Sequence, residues 1–293
     1  MDISNIILNV YKSPLDNRDI IYDISLSNNI DKTIIALDLR NKLFPIRNQG
    51  SQGTCYAQAA ACMKELQEKN NYGLTEYLSP QFFYNNRENW YDDDQNNDEG
   101  MFGRNVMKLL KNIGICKESQ YPYGLIEKKD NIAEGIYLSA IKHKILSYAR
   151  ITTLKGMKQS LNENGICLIT FPVYNYSIEL WKQNENDIFK GGHAMAVVGY
   201  LENCFIIRNS WGESWGDKGY CYYYFKDWDA HWEAWTTVDY IQEIIEPEPP
   251  QEPESDEELE PEPEPEPDKD TNLRCPKILT KIFKFILSLL CIL

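Results

Sequence analysis

The sequence predicts an α+β protein with two lobes, a helical first lobe and an antiparallel β second lobe, with a cleft between them. Helix signals dominate up to about Ala140, and short β-branched, apolar segments follow it. After residue 245 the composition changes again, to Pro and Glu. The 293-residue chain therefore divides into four parts, which are a leader (1–36), a folded domain (37–245), an acidic linker (246–272) and a tail (273–293).

Three helices are predicted in the first lobe. The first covers residues 55–70, where three consecutive alanines precede a closing Asn/Gly segment. Ser79 and Pro80 are typical of an N-cap and of the first helical position, so they predict a second helix within 78–88. A third helix is expected over 103–113, before a glycine.

The second lobe is predicted to consist of short strands. Each apolar segment is rich in β-branched or aromatic residues and is bounded by Gly, Asn or Pro. The predicted strands are residues 165–173, 193–201, 203–208 and 221–225.

The charge of the chain is unevenly distributed. The formal net charge is −14, but residues 246–268 contain twelve acids and no Lys or Arg, and residues 269–293 sum to +4. The first 245 residues therefore carry −6 and contain no concentrated basic patch, which argues against nucleic acid as a partner. The Pro/Glu linker is expected to be extended, because its like charges repel one another.

The cysteines indicate neither a metal site nor a disulfide framework. None of the eight has CxxC spacing, and no Cys/His set resembles a zinc site, so neither a metal nor an organic cofactor is expected. The N-terminus shows no signal peptide. We expect the folded domain to lie in a reducing compartment such as the cytosol or a virion.

One cysteine has the surroundings of a reactive thiol. In NQGSQGTCYA, Cys55 follows two glycines and opens the first helix, with Thr54 as the expected N-cap. The helix N-terminus favours the thiolate, which is the nucleophilic form of cysteine. The Cys55 N–H and the side-chain amide of Gln49 could both donate to an oxyanion. Taken alone, a cysteine in such a helix is more often a buried packing residue.

Two further segments supply the partners that a cysteine nucleophile needs. GGHAMAVVGY places His193 at the start of a strand, and RNSWGESWGDKGY places Asn209 at the end of the next strand. An imidazole can take the thiol proton, and it needs an acceptor that fixes its orientation. Cys, His and Asn in this order, each in a glycine-rich segment, favour nucleophilic catalysis over packing.

These three segments resemble the papain-like cysteine peptidases, the cathepsin family. The resemblance runs from about Leu37 to Tyr224 and implies the papain-like fold, with the active site in the cleft. It implies peptide or protein substrates and four catalytic residues, which are Cys55 (nucleophile), His193 (general acid and base), Asn209 (orienting His193) and Gln49 (oxyanion donor).

The same resemblance implies the substrate side of the cleft. Trp211 would shield the His193–Asn209 hydrogen bond, Trp215 would pack on the leaving-group side, and Ala194 would border the pocket for the second residue on the acyl side. Gly100 is the best match to a substrate-binding glycine pair. Where the family has a disulfide-forming cysteine, this chain has Gln52.

The hairpin that carries the histidine and the asparagine must have a particular register. If Leu201 closed a regular two-residue turn against Cys204, Asn209 and His193 would lie on opposite faces of the sheet. We therefore predict a three-residue loop with Tyr200 opposite Cys204, or alternatively a bulge that restores the parity.

The two ends of the chain carry further expectations. Residues 1–36 are too short for a long helical propeptide, and we expect part of them to pack on the domain and obstruct the cleft. In residues 277–293 the polar side chains form one narrow helical stripe, which predicts a membrane-surface helix or a short anchor. Docking on a protein is the alternative.

The sequence leaves two other functions open. A retired peptidase could serve as a binding module, although the intact Cys-His-Asn-Gln set argues against it. A thiol acyltransferase would share the first chemical step with a peptidase and transfer the acyl group to an amine. His143 is expected to be solvated. His231 is expected to be either packed or surface-exposed.

Overall fold

The computed structural model describes residues 5–22, 35–87 and 100–239. Its α-helices are α1 (Cys55–Tyr72), α2 (Pro80–Asn85), α3 (Gly103–Asn112), α4 (Glu134–Ala140) and α5 (Leu154–Glu163). Its strands are β1 (Leu37–Asp38), β2 (Ile145–Ile151), β3 (Cys167–Val173), β4 (Gly191–Tyr200), β5 (Cys204–Arg208), β6 (Tyr220–Tyr224) and β7 (Glu233–Asp239).

The strands form one antiparallel sheet in the order β2-β7-β3-β4-β5-β6, and β1 pairs with β4. The central strands β3, β4 and β5 are almost entirely buried. This burial explains why their sequences are continuously apolar and do not alternate. The α+β prediction, with helices first and an antiparallel sheet second, is confirmed.

The long helix α1 joins the helical lobe to the sheet. Its small side chains at Ala57, Ala60 and Ala61 are fully buried in the main core, which they share with apolar residues of β4. The helix ends at Gly73, whose left-handed φ of 68° suits glycine. In α2, the Ser79 hydroxyl accepts a hydrogen bond from the Phe82 N–H at 3.0 Å, as its capping pattern predicts.

The β4–β5 hairpin contains the predicted bulge. Leu201 N–H donates to the Cys204 carbonyl at 2.8 Å, so the connection is a two-residue turn, and the three-residue loop is wrong. Tyr200 therefore pairs with Phe205. Continued along both strands, this register would place His193 and Asn209 on opposite faces of the sheet. A bulge at Val198 shifts the register before the pairs nearer His193 are reached.

Three local expectations were wrong. The Thr54 side chain caps no helix N–H, and its hydroxyl lies 2.8 Å from the Tyr123 hydroxyl. His143 is not solvated, because its side chain is 12% exposed and its Nδ1 lies 2.7 Å from a carboxylate oxygen of Glu68. The expectation of strands alone after Ala140 missed helix α5, whose Thr153 N-cap accepts from the Gly156 N–H.

The parts of the chain beyond residue 239 lie outside the described residues. They include the acidic linker and the tail at 273–293, for which the expectations above stay predictions. Among the described residues, no helix combines the length and the apolar character of a membrane span.

Candidate active site

Cys55 is the first residue of α1, so its side chain lies at the positive end of the helix dipole. The segment before it turns at Gly50, whose left-handed φ is 58°. The Cys55 side chain is fully buried in the core cluster that also contains Ala194 of β4. Helix α1 packs against β4, so the nucleophile candidate and the strand that carries His193 share one core.

His193 and Asn209 form a buried hydrogen bond. Nε2 of His193 lies 2.7 Å from Oδ1 of Asn209, and both residues are at most 3% exposed. Burial lowers the pKa of His193 to about 4, and the hydrogen bond to Asn209 acts in the opposite direction. Because Nε2 contacts Asn209, Nδ1 is the ring nitrogen that remains for proton transfer, and it has no hydrogen-bond partner within the described ranges.

Aromatic side chains cover this hydrogen bond. The Trp211 ring stacks on the His193 ring with 4.4 Å between centroids and an interplanar angle of 30°. Trp215 meets Trp211 edge to face at 5.4 Å, and its indole N–H donates to the Tyr176 carbonyl at 2.9 Å. Trp211 is fully buried, so bulk water is excluded from the His193–Asn209 pair on that side.

Gln49 is held beside the same asparagine by Ser210. The Ser210 hydroxyl donates to Gln49 Oε1 at 2.7 Å, and the backbone N–H of Ser210 donates to Asn209 Oδ1 at 2.7 Å. Gln49 Nε2 donates to the Gln52 carbonyl at 2.9 Å. A primary amide has a second N–H, and this hydrogen is the one that Gln49 could offer to an oxyanion.

The leader lies across the two glycine segments at the cleft. Asn9 forms a bridge with Gly192, and the Val10 N–H donates to the Gly192 carbonyl at 3.3 Å. On the other side, a Cβ on Gly100 would lie 2.0 Å from the Asn9 carbonyl oxygen. Gly192 and Gly100 thus contact the same stretch of the leader, and neither could carry a side chain there.

Beyond this crossing the leader contacts a buried carboxylate. The Ser13 hydroxyl donates to Glu233 Oε1 at 3.1 Å, and the Ser13 N–H lies 3.3 Å from both carboxylate oxygens. The hydroxyl of Tyr56, the residue after Cys55, donates to the same carboxylate at 2.9 Å. Glu233 thus accepts hydrogen bonds both from the leader and from the residue that follows the nucleophile candidate.

The sequence reasoning named most of this assembly but missed several members. Ser210, which orients Gln49, could have been found as a neighbour of Asn209 in its motif. Tyr176 and Glu233 lie outside the three motifs and had no signal. Ala194, expected at a substrate pocket, is 1% exposed and belongs to the core cluster.

Neither a disulfide nor a metal-binding cluster is observed in the described residues. No disulfide joins the six cysteines there. In the same ranges, no group of three or more His, Cys, Asp or Glu side chains could hold a metal ion.

The chain is similar to known cysteine proteases in sequence and in fold. Residues 35–232 match the papain family cysteine protease domain. Cysteine proteinase 1 of Entamoeba histolytica is 34% identical over 205 residues, which are 63% of this chain and 62% of that protein. An uncharacterized peptidase C1-like protein of Acanthamoeba polyphaga mimivirus is 27% identical over 84% of this chain and 91% of its own length.

A solved structure shows the same fold. Xylellain, a cysteine protease from Xylella fastidiosa, superposes with a TM-score of 0.67 at 25% identity, and the match covers 80% of this chain and 96% of xylellain. A cysteine protease of Carica candamarcensis matches with a TM-score of 0.54 at 20% identity, which supports the two-lobed fold alone.

Proposed function

The chain belongs to the papain family of cysteine proteases, and on that premise we propose that it hydrolyses peptide bonds with Cys55 as nucleophile. The observation that carries the proposal is the 2.7 Å hydrogen bond between His193 and Asn209, buried beneath Trp211. It fixes one nitrogen of the imidazole, as a general acid and base requires.

In the proposed reaction, Cys55 transfers its proton to His193 Nδ1, and the thiolate attacks the carbonyl carbon of the substrate. The oxyanion accepts hydrogen bonds from the Cys55 N–H and the second N–H of Gln49. The imidazolium then protonates the leaving amine, which breaks the C–N bond and leaves a thioester on Cys55. Water, deprotonated by His193, attacks the thioester and releases the acid and the thiol.

We propose further that the leader keeps the enzyme inactive. Val10 and Asn9 contact the backbone of Gly192 and Gly100, which a substrate in the cleft would have to reach. Both Cys55 and His193 are fully buried in this state. Burial lowers the pKa of His193 and so disfavours the imidazolium in the structure described.

The test compares the full chain with Cys55→Ala and Cys62→Ala on a peptide library, with and without residues 1–33. Cys62 is the matched control, because it is a buried thiol on the same helix and burial raises its pKa to about 11. We expect cleavage to vanish with Cys55→Ala alone. Alkylation of Cys55 by iodoacetamide without any cleavage would indicate a binding module, and acyl transfer to an added amine would indicate an acyltransferase.

We also propose that the protein associates with a membrane surface through residues 277–293 and that its catalytic domain acts in a reducing compartment. The support is the pattern of the tail sequence and the spacing of the cysteines.

A further inference from the structure

Arg104, the second residue of α3, is bound by the leader. Its Nε donates to Asp19 Oδ1 at 2.7 Å, its Nη2 donates to Asp19 Oδ2 at 2.6 Å, and Nη2 also donates to the Pro14 carbonyl at 2.6 Å. Every acceptor that this guanidinium contacts in the described part of the chain belongs to the leader. The Arg104 side chain is only 13% exposed and that of Asp19 only 7%, so the two charges are largely removed from water.

A second arginine completes the surroundings of the same carboxylate. Arg150 of β2 places Nη1 3.6 Å from Asp19 Oδ2, and its guanidinium carbon lies 5.6 Å from the centroid of the Trp235 ring. Its Nη2 lies 3.6 Å from Glu233 Oε2. Arg150 therefore has a resident carboxylate partner in the domain, whereas Arg104 has only the leader.

One continuous peptide connects this arginine pair to the cleft. The leader crosses Gly192 and Gly100 at residues 9–10, contacts Glu233 at Ser13 and reaches the arginines at Asp19. The path shows that an extended chain lying in the cleft can also reach Arg104. Withdrawal of the leader would remove the acceptors that Arg104 contacts in the described residues and leave its guanidinium open to another ligand.

We propose that Arg104 and Arg150 form a carboxylate-binding subsite for substrates, which Asp19 fills while the leader is in place. The ligand is an Asp or Glu side chain of the peptide substrate, and it lies outside the residues that flank the scissile bond. The inference rests on the proposed peptidase function, and it adds a preference for acidic substrates.

The geometry of the arginine fork supports a carboxylate ligand. A guanidinium presents parallel N–H donors that match the two oxygens of a carboxylate, as Asp19 demonstrates. Amide side chains such as Asn offer one acceptor and no charge, so they would satisfy only part of the fork. Asp19 lies 2.6–2.7 Å from the Arg104 nitrogens but 3.6 Å from Arg150, which also contacts Glu233. Arg104 is therefore the principal contact.

The kinetic test uses the full chain carrying Asp19→Asn, which weakens the internal ligand while retaining its shape. The two peptides of each pair differ only in Asp or Asn at one position. This position is varied from the second to the eighth residue on the acyl side of the scissile bond. At one or two positions we expect kcat/KM to be about tenfold higher for Asp. Adding Arg104→Gln should bring that ratio close to one, and Arg104→Lys should restore part of it.

Lys108→Gln is the matched control, because Lys108 is an exposed cation on the same helix. It should leave the Asp/Asn ratio unchanged. A ratio near one at every position, with cleavage still dependent on Cys55, would overturn the subsite and leave the peptidase proposal intact.

A binding measurement separates the subsite from catalysis. The same peptides, labelled with a fluorophore, are titrated into the full chain carrying Cys55→Ala and Asp19→Asn. About tenfold tighter binding of the Asp peptide, lost with Arg104→Gln, supports the subsite even if no peptide is cleaved. Equal binding of the Asp and Asn peptides would overturn it.

Discussion

His193 Nε2 lies 2.7 Å from Asn209 Oδ1 although the hairpin that carries both residues has only a two-residue turn. With a regular ladder, that turn would place the two side chains on opposite faces of the sheet. The bulge at Val198 changes the register, so Ala196 pairs with Arg208 instead of Asn209. The alignment of these two side chains therefore depends on one extra residue in β4.

Removal of the Asn209 acceptor should impair the chemical step. Asn209→Ala leaves His193 without the partner that orients it and stabilises its charged form. A hydrogen bond to a charged group contributes about 1.5–3 kcal/mol, so kcat/KM should fall about 10- to 100-fold. The control is Asn203→Ala, an exposed position in the turn of the same hairpin. An equal loss in both variants would show that the hairpin and not the hydrogen bond is responsible.

The parity of this hairpin could be predicted from the sequence, but the way it is achieved could not. The proposed roles of His193 and Asn209 demand that both lie on one face, and this demand excludes a regular two-residue hairpin. A three-residue loop and a two-residue turn with a bulge satisfy this demand equally well. The sequence does not distinguish them, and the bulge lies beside Gly199, which packs against β1 in a contact between residues about 160 positions apart.

Gly199 should be intolerant of any side chain. It lies next to the bulge, and a Cβ there would sit 2.2 Å from the Leu37 carbonyl oxygen of β1. Gly199→Ala should lower the free energy of unfolding by about 1–3 kcal/mol, because backbone must move. Urea unfolding measures this loss. Gly135→Ala is the control, since a Cβ on this α4 glycine meets nothing within 4 Å, and it should be neutral or stabilising.

The catalytic motifs could be predicted because each reaction role demands a residue type in a local setting. The contacts of the leader could not, because Ser13, Asp19 and Glu233 have no motif and come together only in the folded chain. Burial of His143 against Glu68 was missed for the same reason. A histidine between two lysines in sequence gives no sign of a carboxylate that approaches from another helix.

His231 should make the protein less stable in acid. Burial lowers its pKa from 6.5 to about 4. Between these values the unfolded chain binds a proton that the folded chain does not, so stability falls as the pH falls through 6.5 towards 4. His231→Gln removes this effect, which amounts to at most about 3 kcal/mol.

Urea unfolding at pH 7 and pH 4.5 gives the comparison. The stability advantage of the unmodified protein over the variant should shrink at the lower pH. The buried carboxyl groups of Glu65 and Asp239, whose pKa values are raised by burial, act in the opposite direction but are the same in both proteins. A constant difference between the two proteins would contradict a depressed pKa at His231.

Removal of the leader should activate the enzyme. Deletion of residues 1–33 uncovers Gly192 and Gly100, and we expect kcat/KM to rise by about tenfold or more, since this requires only about 1.4 kcal/mol of leader binding. In the full chain, Val10→Pro removes the N–H that donates to Gly192 and should act in the same direction. Leu15→Ala changes a leader side chain that is 88% exposed and serves as the control. A stable truncated protein with unchanged kinetics would refute the inhibitory role.

The tail from Ile278 to Leu293 should bind membranes. It contains 16 residues, about 24 Å as a helix, which is short of the ~20 residues that span a bilayer. Lys281, Lys284 and Ser288 lie on one narrow stripe, and apolar residues occupy almost all the rest. Such a helix can lie in the interface, with its lysines reaching the headgroups.

A flotation assay with vesicles that contain anionic lipid tests this prediction. The full-length protein should float with the vesicles, and a chain ending at Glu246 should stay at the bottom of the gradient. The acidic linker favours this arrangement, because repulsion from anionic lipid holds it extended and away from the surface. Lys281→Glu with Lys284→Glu should weaken binding to anionic vesicles more than binding to neutral ones. Equal partitioning of the full-length and shortened chains would instead direct the search for a tail partner to proteins.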